Sequence, residues 1–184
     1  MVGLPYRLHR PAIGDLDDYA ALHADAATWR HHPDGRHTDL EQSRSALLRD
    51  IEDWQRDSLG FWIVRAGDDG SVAPEGTFLG VCGCRSAREG LIWNLYYRFV
   101  PAFHGHGLAV RVGRESVHAA HATDPDRPVI ASLLEHNTAS RRTAERIGLA
   151  LRWRGPDAEV HDGIRLLYAD RPLPPATLDS LTRT

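Results

Sequence analysis

Two stretches of the chain carry residue types that can do chemistry at a spacing that matters. In the first, Phe99-Val-Pro-Ala-Phe-His-Gly-His-Gly-Leu-Ala109, a strand pattern runs into a glycine-containing loop and then into a helix. Backbone N–H groups at a helix N-terminus, approached closely across glycine, cradle an anion such as a pyrophosphate. His104, Gly105, His106, Gly107, Leu108 and Ala109 are the candidates for that cradle. The Gly-Lys-Ser/Thr ending of a phosphate loop is missing, as is the third glycine of the dinucleotide fingerprint. An ordinary strand-to-helix turn uses the same glycines, so this stretch alone decides nothing. The second stretch, from Ala131 to Leu149, reads as a buried strand, then Asn137 at an N-cap position, then a helix that carries Ser140 and closes at Gly148.

Weaker signals surround these two. Trp29, His31, His32 and His37 cluster in a polar loop without metal-ligand spacing, and no metal is expected. Cys82 and Cys84 alternate onto one face of a strand with no further Cys or His at zinc spacing, which reads as a pair of buried free thiols.

The elements that must position these residues follow from periodicity. A short alternating strand around Arg7 leads through Gly14-Asp15, read as a helix N-cap, into a helix from Leu16 to about Ala26. Thr38 and Glu41 form a capping box that opens a second amphipathic helix, ending before Gly60. Phe61 to Ala66, Phe78 to Arg85 and Leu91 to Val100 read as an antiparallel meander. A helix from about Leu108 to Ala122, a strand from Val129 to Leu134, a helix from Thr138 to Ile147 and two last strands, near Leu149 to Arg154 and Ile164 to Ala169, follow. The fold class is α+β, a mixed, mostly antiparallel sheet of about six or seven strands flanked by helices. Residues 1–172 read as a single domain and residues 173–184 as a weakly ordered, Pro-rich C-terminal tail.

Together the two stretches resemble the GNAT N-acetyltransferase superfamily, especially the branch that includes the RimJ/RimL ribosomal-protein N-terminal acetyltransferases. The resemblance runs from about Tyr6 to Pro172. The family's Arg/Gln-x-x-Gly-x-Gly/Ala loop fits His104-Gly-His-Gly-Leu-Ala109 with His104 in the Arg/Gln place, and Asn137, Ser140, Glu145 and Gly148 match its Asn-x-x-Ser helix. The resemblance implies a sheet splayed in the middle to hold acetyl-CoA, which is the co-substrate. It implies that the backbone of Phe99 and Val100 binds the pantetheine arm, with Asn137 on the other side. Ser140 is implied as proton donor to the leaving thiolate, since the Tyr of many relatives is Ala144 here. Many relatives place a basic Glu where this chain has Asn94, and a carboxamide can orient an amine but cannot take its proton. Asn94 and Tyr96 are expected to face the acceptor, bordered by Trp29, His31 and His32. The base is then Glu135, His136, a loop histidine or relayed water.

Composition excludes other classes. The chain has 184 residues, 42% hydrophobic, and a formal charge of -3. All 22 of its basic residues are arginine. An acidic balance argues against a nucleic-acid wrapper. No apolar run is long enough for a membrane span, and the start from Met1 to Arg10 lacks a signal-peptide core, so a cytoplasmic protein is expected. The expected activity is acetyl transfer from acetyl-CoA to a primary amine, either a protein N-terminus or a small molecule. The substitutions at Asn94 and Ala144 keep a non-catalytic acyl-CoA-binding module as the alternative. The resemblance also allows a homodimer.

Overall fold

The computed structural model describes residues 3–182. The first residues of the leader reading, from Met1, and the last two residues of the expected tail lie outside that range. Strand β1 (Tyr6–His9) leads to helix α1 (Leu16–Ala24), two short 3-10 turns (Ala26–Trp29 and Pro33–Gly35) and helix α2 (Leu40–Asp57). Strands β2 (Phe61–Ala66), β3 (Phe78–Ala87) and β4 (Ile92–Phe99) follow, then α3 (Leu108–Thr123), β5 (Val129–Leu134), α4 (Thr138–Ile147), β6 (Ala150–Pro156), β7 (Ile164–Ala169) and α5 (Pro175–Thr182).

The seven strands form one sheet in the order β1-β2-β3-β4-β5-β7-β6. Every neighbouring pair is antiparallel except β4 and β5, which run parallel because α3 carries the chain back between them. Strand alternation sends Phe61, Ile63 and Val81 to one face, where Tyr19, Leu22 and Leu47 of α1 and α2 cover them. Val64, Leu79 and Cys82 face the other way, against Leu108 and Val112 of α3. Helices α3 and α4 meet at Gly113. A Cβ there would stand 2.4 Å from the Ile147 side chain, so glycine is what lets the two helices approach. Burial raises both thiols of the Cys82–Cys84 pair, Cys82 to about 12. Among the described residues no helix is long and apolar enough to cross a membrane.

Three local expectations need correction. The N-cap of α2 sits one residue later, at Asp39. Asp39 accepts a hydrogen bond from the Gln42 N–H at 2.8 Å, and Gln42 accepts from the Thr38 N–H at 2.8 Å. Asp15 stands at the N-cap position of α1, but its side chain makes no capping bond. Its carboxylate turns back to the Ala12 N–H at 2.9 Å and to Arg65 at 2.7 Å. The expected weakly ordered tail contains α5, and Leu173, Leu178 and Leu181 pack on the cluster of Ile92, Ile130, Leu167 and Ala169. The apolar spacing of those leucines outweighs the prolines before them.

Candidate active site

Strands β4 and β5 pair only through Trp93–Val129 and Asn94–Ile130. Beyond those rungs they part, and a cleft of about 890 Å³ opens between Leu95–Phe99 on one side and Ala131–Leu134 on the other. Strand register decides which backbone groups look into it. Val100 donates its N–H to the Leu79 carbonyl at 2.9 Å, so in the alternation of an antiparallel ladder Asn94, Tyr96 and Arg98 also turn their N–H and C=O groups toward β3. Leu95, Tyr97 and Phe99 turn theirs the other way. On β5, Glu135 donates to the Ile164 carbonyl at 2.8 Å, so by the same alternation Ser132 and Leu134 face the gap. The expected role of the Val100 backbone is thereby corrected. Its N–H is committed to β3, and Tyr97 supplies the cleft-facing amide instead.

At one end of the cleft stands the N-terminus of α3. Gly107 caps it with a φ of 72° and no side-chain hydrogen bond, leaving the first amides of the helix without a capping side chain. Gly105, Gly107, Leu108 and Ala109 all line the cleft. A Cβ added at Gly105 or Gly107 would meet no atom within 4 Å, so the approach to these amides is open. His104 also lines the cleft, and its Nε2–H donates to the Phe99 carbonyl at 3.0 Å, fixing the turn out of β4. His106 does not line it. Its Nδ1 lies 3.1 Å from the Phe103 carbonyl on the exposed side.

The opposite wall is the start of α4. Asn137 caps it by accepting from the Ser140 N–H at 3.1 Å, and both residues line the cleft. The Tyr97 hydroxyl donates to the Ser140 carbonyl at 3.0 Å, and burial raises the phenol well above its ordinary value. Ala144, one turn on, is fully buried.

The remaining wall gathers Trp29, His31, His32, Tyr96 and Arg98. His136 closes it by donating Nε2–H to the His31 carbonyl at 2.8 Å. Burial pushes His31 down to about 4, aided by the Arg98 charge, so its ring is neutral at neutral pH. Asp157 also lines the cleft. Burial works to raise its carboxyl, but the Arg165 guanidinium and the amides of Glu159 and Val160 outweigh that and hold it at about 2.

Two further sequence candidates are not brought here. Asn94 forms the last paired rung before the strands part and does not line the cleft, so the acceptor-facing position read for it is corrected. Glu135 is turned outward to β6, where Arg154 holds both its oxygens at 2.7 and 3.0 Å and lowers its pKa. A carboxylate already ion-paired and tuned downward is a poor base. Sequence reading missed Tyr97 and Arg98 as site residues. The alternation along β4 was the available signal for both.

The acetyltransferase (GNAT) domain family matches residues 6–150. No curated protein matches the sequence significantly. Among solved structures, the chain is similar to an acetyltransferase from Agrobacterium tumefaciens str. C58, at 19% identity, 89% of each chain covered and a TM-score of 0.72. It is similar to the Salmonella typhimurium acetyl transferase that modifies the N-terminal serine of the 50S ribosomal subunit protein L7/L12. That match has 17% identity, 95% and 98% coverage of this and that chain, and a TM-score of 0.73. A spermidine N-acetyltransferase from Vibrio cholerae, in complex with CoA and spermine, matches at 12% identity, 90% and 94% coverage and a TM-score of 0.67. At these identities the likeness is one of fold.

Proposed function

The chain belongs to the acetyltransferase (GNAT) domain family, and on that premise we propose that it moves an acetyl group from acetyl-CoA to a primary amine. The observation that carries this reading is the meeting, in one cleft, of a split between parallel strands and the open N-terminus of α3. The residues present fit the co-substrate. The amides of Leu108 and Ala109 behind Gly105 and Gly107 suit its pyrophosphate, and the Tyr97 and Ser132 backbones suit its amide-bearing arm. What acetyl-CoA supplies is an acetyl group activated as a thioester.

The chain's own groups then have distinct tasks. The Tyr97 N–H, fixed in direction by β4, stabilises negative charge developing on a carbonyl oxygen placed in the gap. As the amine nitrogen bonds to the acyl carbon, the carbon–sulfur bond breaks and sulfur leaves with the electron pair. The Ser140 hydroxyl, in the first turn of α4, relays a proton from water to that sulfur. The nitrogen gives up its own proton to solvent. The carboxylates lining the cleft are Asp157 and Glu159, and both face the Arg165 guanidinium, so neither is assigned as the base. The amine therefore enters as its free base, and the cleft contributes orientation. We place the reaction in the cytoplasm, where free thiols such as Cys82 and Cys84 persist.

Calorimetry with acetyl-CoA, followed by thiol release across peptides, amino acids and polyamines, tests the proposal. Saturable binding with acceptor-dependent thiol release is expected. Binding without release on any acceptor would leave an acyl-CoA-binding module, and absence of binding would remove the proposal altogether.

A further inference from the structure

Arg98 is the only buried arginine among the described residues, with 9% of its surface exposed. Its Nε donates to the Tyr96 hydroxyl at 2.6 Å, and its Nη1 donates to the Thr28 carbonyl at 2.7 Å. Its guanidinium carbon lies 3.3 Å from the centroid of the Trp29 ring. All three neighbours are neutral. Several other partly buried arginines are matched by acids. Arg65 has Asp15, Arg127 has Asp124, and Arg165 has Asp157. No carboxylate among the described residues pairs with Arg98, and its Nη2 has no hydrogen bond among them.

A buried cation without a counter-charge is costly, because neutral dipoles replace only part of its lost hydration. The position of this one is informative, since Arg98 lines the cleft beside Trp29, His31 and His32. The charged side chains lining the cleft are mostly basic. Arg30, Arg98, Arg146 and Arg165 line the cleft against Asp157 and Glu159, and Asp157 is already committed to Arg165. The Arg98 charge is also felt by its neighbours, contributing to the lowered pKa values of His23, His31 and His37.

We propose that the acceptor is an amine that also carries an anionic oxygen group, a carboxylate or a phosphate, and that Arg98 receives this group while Trp29 holds the guanidinium plane. The proposal rests on reading the cleft as an acetyl-transfer site. Arg98 is a specificity-determining residue here, not a group that touches the reacting atoms. A flat guanidinium whose Nε and Nη1 are fixed by protein atoms presents its remaining N–H groups in a set direction, and a charge-assisted hydrogen bond is the strong kind. Polyamines, which bring only positive charge, are poor acceptors for the same reason.

The test uses the full chain and matched acceptors that differ only in the anion. α-Amino acids are compared with their amides, and O-phosphoethanolamine with ethanolamine. Spermidine is the cationic control. The ratio of kcat/KM between the anionic and neutral members is expected to reach about tenfold or more in at least one pair. The arm that shows it identifies carboxylate or phosphate as the group. Arg98→Met should collapse the ratio toward one, chiefly through KM, and Arg98→Lys should restore part of it. A purely structural role for Arg98 would lower all acceptors alike and leave the ratio unmoved. Binding of the same pairs, followed by tryptophan fluorescence, reads the preference even without turnover, and in the wild type it needs no variant to fold. Titration with acetyl-CoA is run on each protein. Its failure removes the acetyl-transfer reading, whereas intact acetyl-CoA binding with no preference for the anionic member, in binding or in turnover, overturns the role of Arg98.

Discussion

The Tyr97 hydroxyl and the Ser140 main-chain carbonyl stand 3.0 Å apart, joining β4 to the first turn of α4 across the cleft. The bond does two things. It satisfies a buried phenol, and it sets the distance between the strand whose amide faces the gap and the helix that carries Ser140. Tyr97→Phe should cost about 1 kcal/mol of stability, the net worth of one neutral hydrogen bond. Denaturant unfolding checks that figure. The same variant should raise the KM for acetyl-CoA, because the wall is no longer held.

Gly107→Val tests the cradle. A β-branched residue strongly resists a φ of 72°, and its side chain would project into space now open before the α3 amides. The expected result is a loss of acetyl-CoA affinity of tenfold or more by calorimetry, an estimate of roughly 1–2 kcal/mol from backbone strain alone. Gly107→Ala should fall between the two. Near-native unfolding together with unchanged affinity would show that the co-substrate lies elsewhere.

The acceptor's ionisation, not that of a protein base, should govern the pH profile. Glu135 is held by Arg154, Asp157 by Arg165, and His31 sits at about 4. Rates of kcat/KM should therefore rise with pH until the acceptor amine is deprotonated, and the inflection should move when an acceptor of different amine pKa is used. An inflection fixed near neutrality for every acceptor would reveal a base in the cleft, and His136 would be the first residue to replace.

How much of this could be read in advance depends on the range over which the signal acts. The elements and the two motif stretches are local patterns, so the strand from Val129 to Leu134 and the helix from Thr138 to Ile147 stand with those bounds. The directions of individual groups are not local. The family resemblance implies a cleft-facing Val100 backbone, but pairing with Leu79 on β3 turns its amide away. Glu135 is one of several candidate bases in the sequence, but Arg154 lies nineteen positions further along and claims it. Arg98 shares a face with Tyr96 by simple alternation, yet that it lacks an acid is visible only once the neighbours from β4 and the Ala26–Trp29 turn are assembled.

Stability should fall on mild acidification, and His23 sets the direction. Burial between Tyr19 and His37 pushes it down to about 3, against an ordinary value of 6.5. The unfolded chain thus binds a proton that the folded chain refuses. Stability from this site is complete above about pH 6.5 and is lost as pH falls toward 3, with a slope of at most about 1.4 kcal/mol per pH unit. Asp50 runs the other way. Its burial raises it to about 6, so the folded state gains relative to the unfolded one as pH drops from 6 to 3.8. Urea midpoints from pH 7 to 4 should therefore decline in the wild type, less steeply in His23→Gln and more steeply in Asp50→Asn.

The most direct measurement is an amide NMR titration with acetyl-CoA. The account places the arm against β4 and the pyrophosphate against α3, so the amides of Tyr97, Gly107, Leu108 and Ala109 should shift together and saturate at one affinity. The Val100 amide, bonded to Leu79, should move far less. Saturable binding that leaves Tyr97 and the α3 amides unmoved would contradict the account.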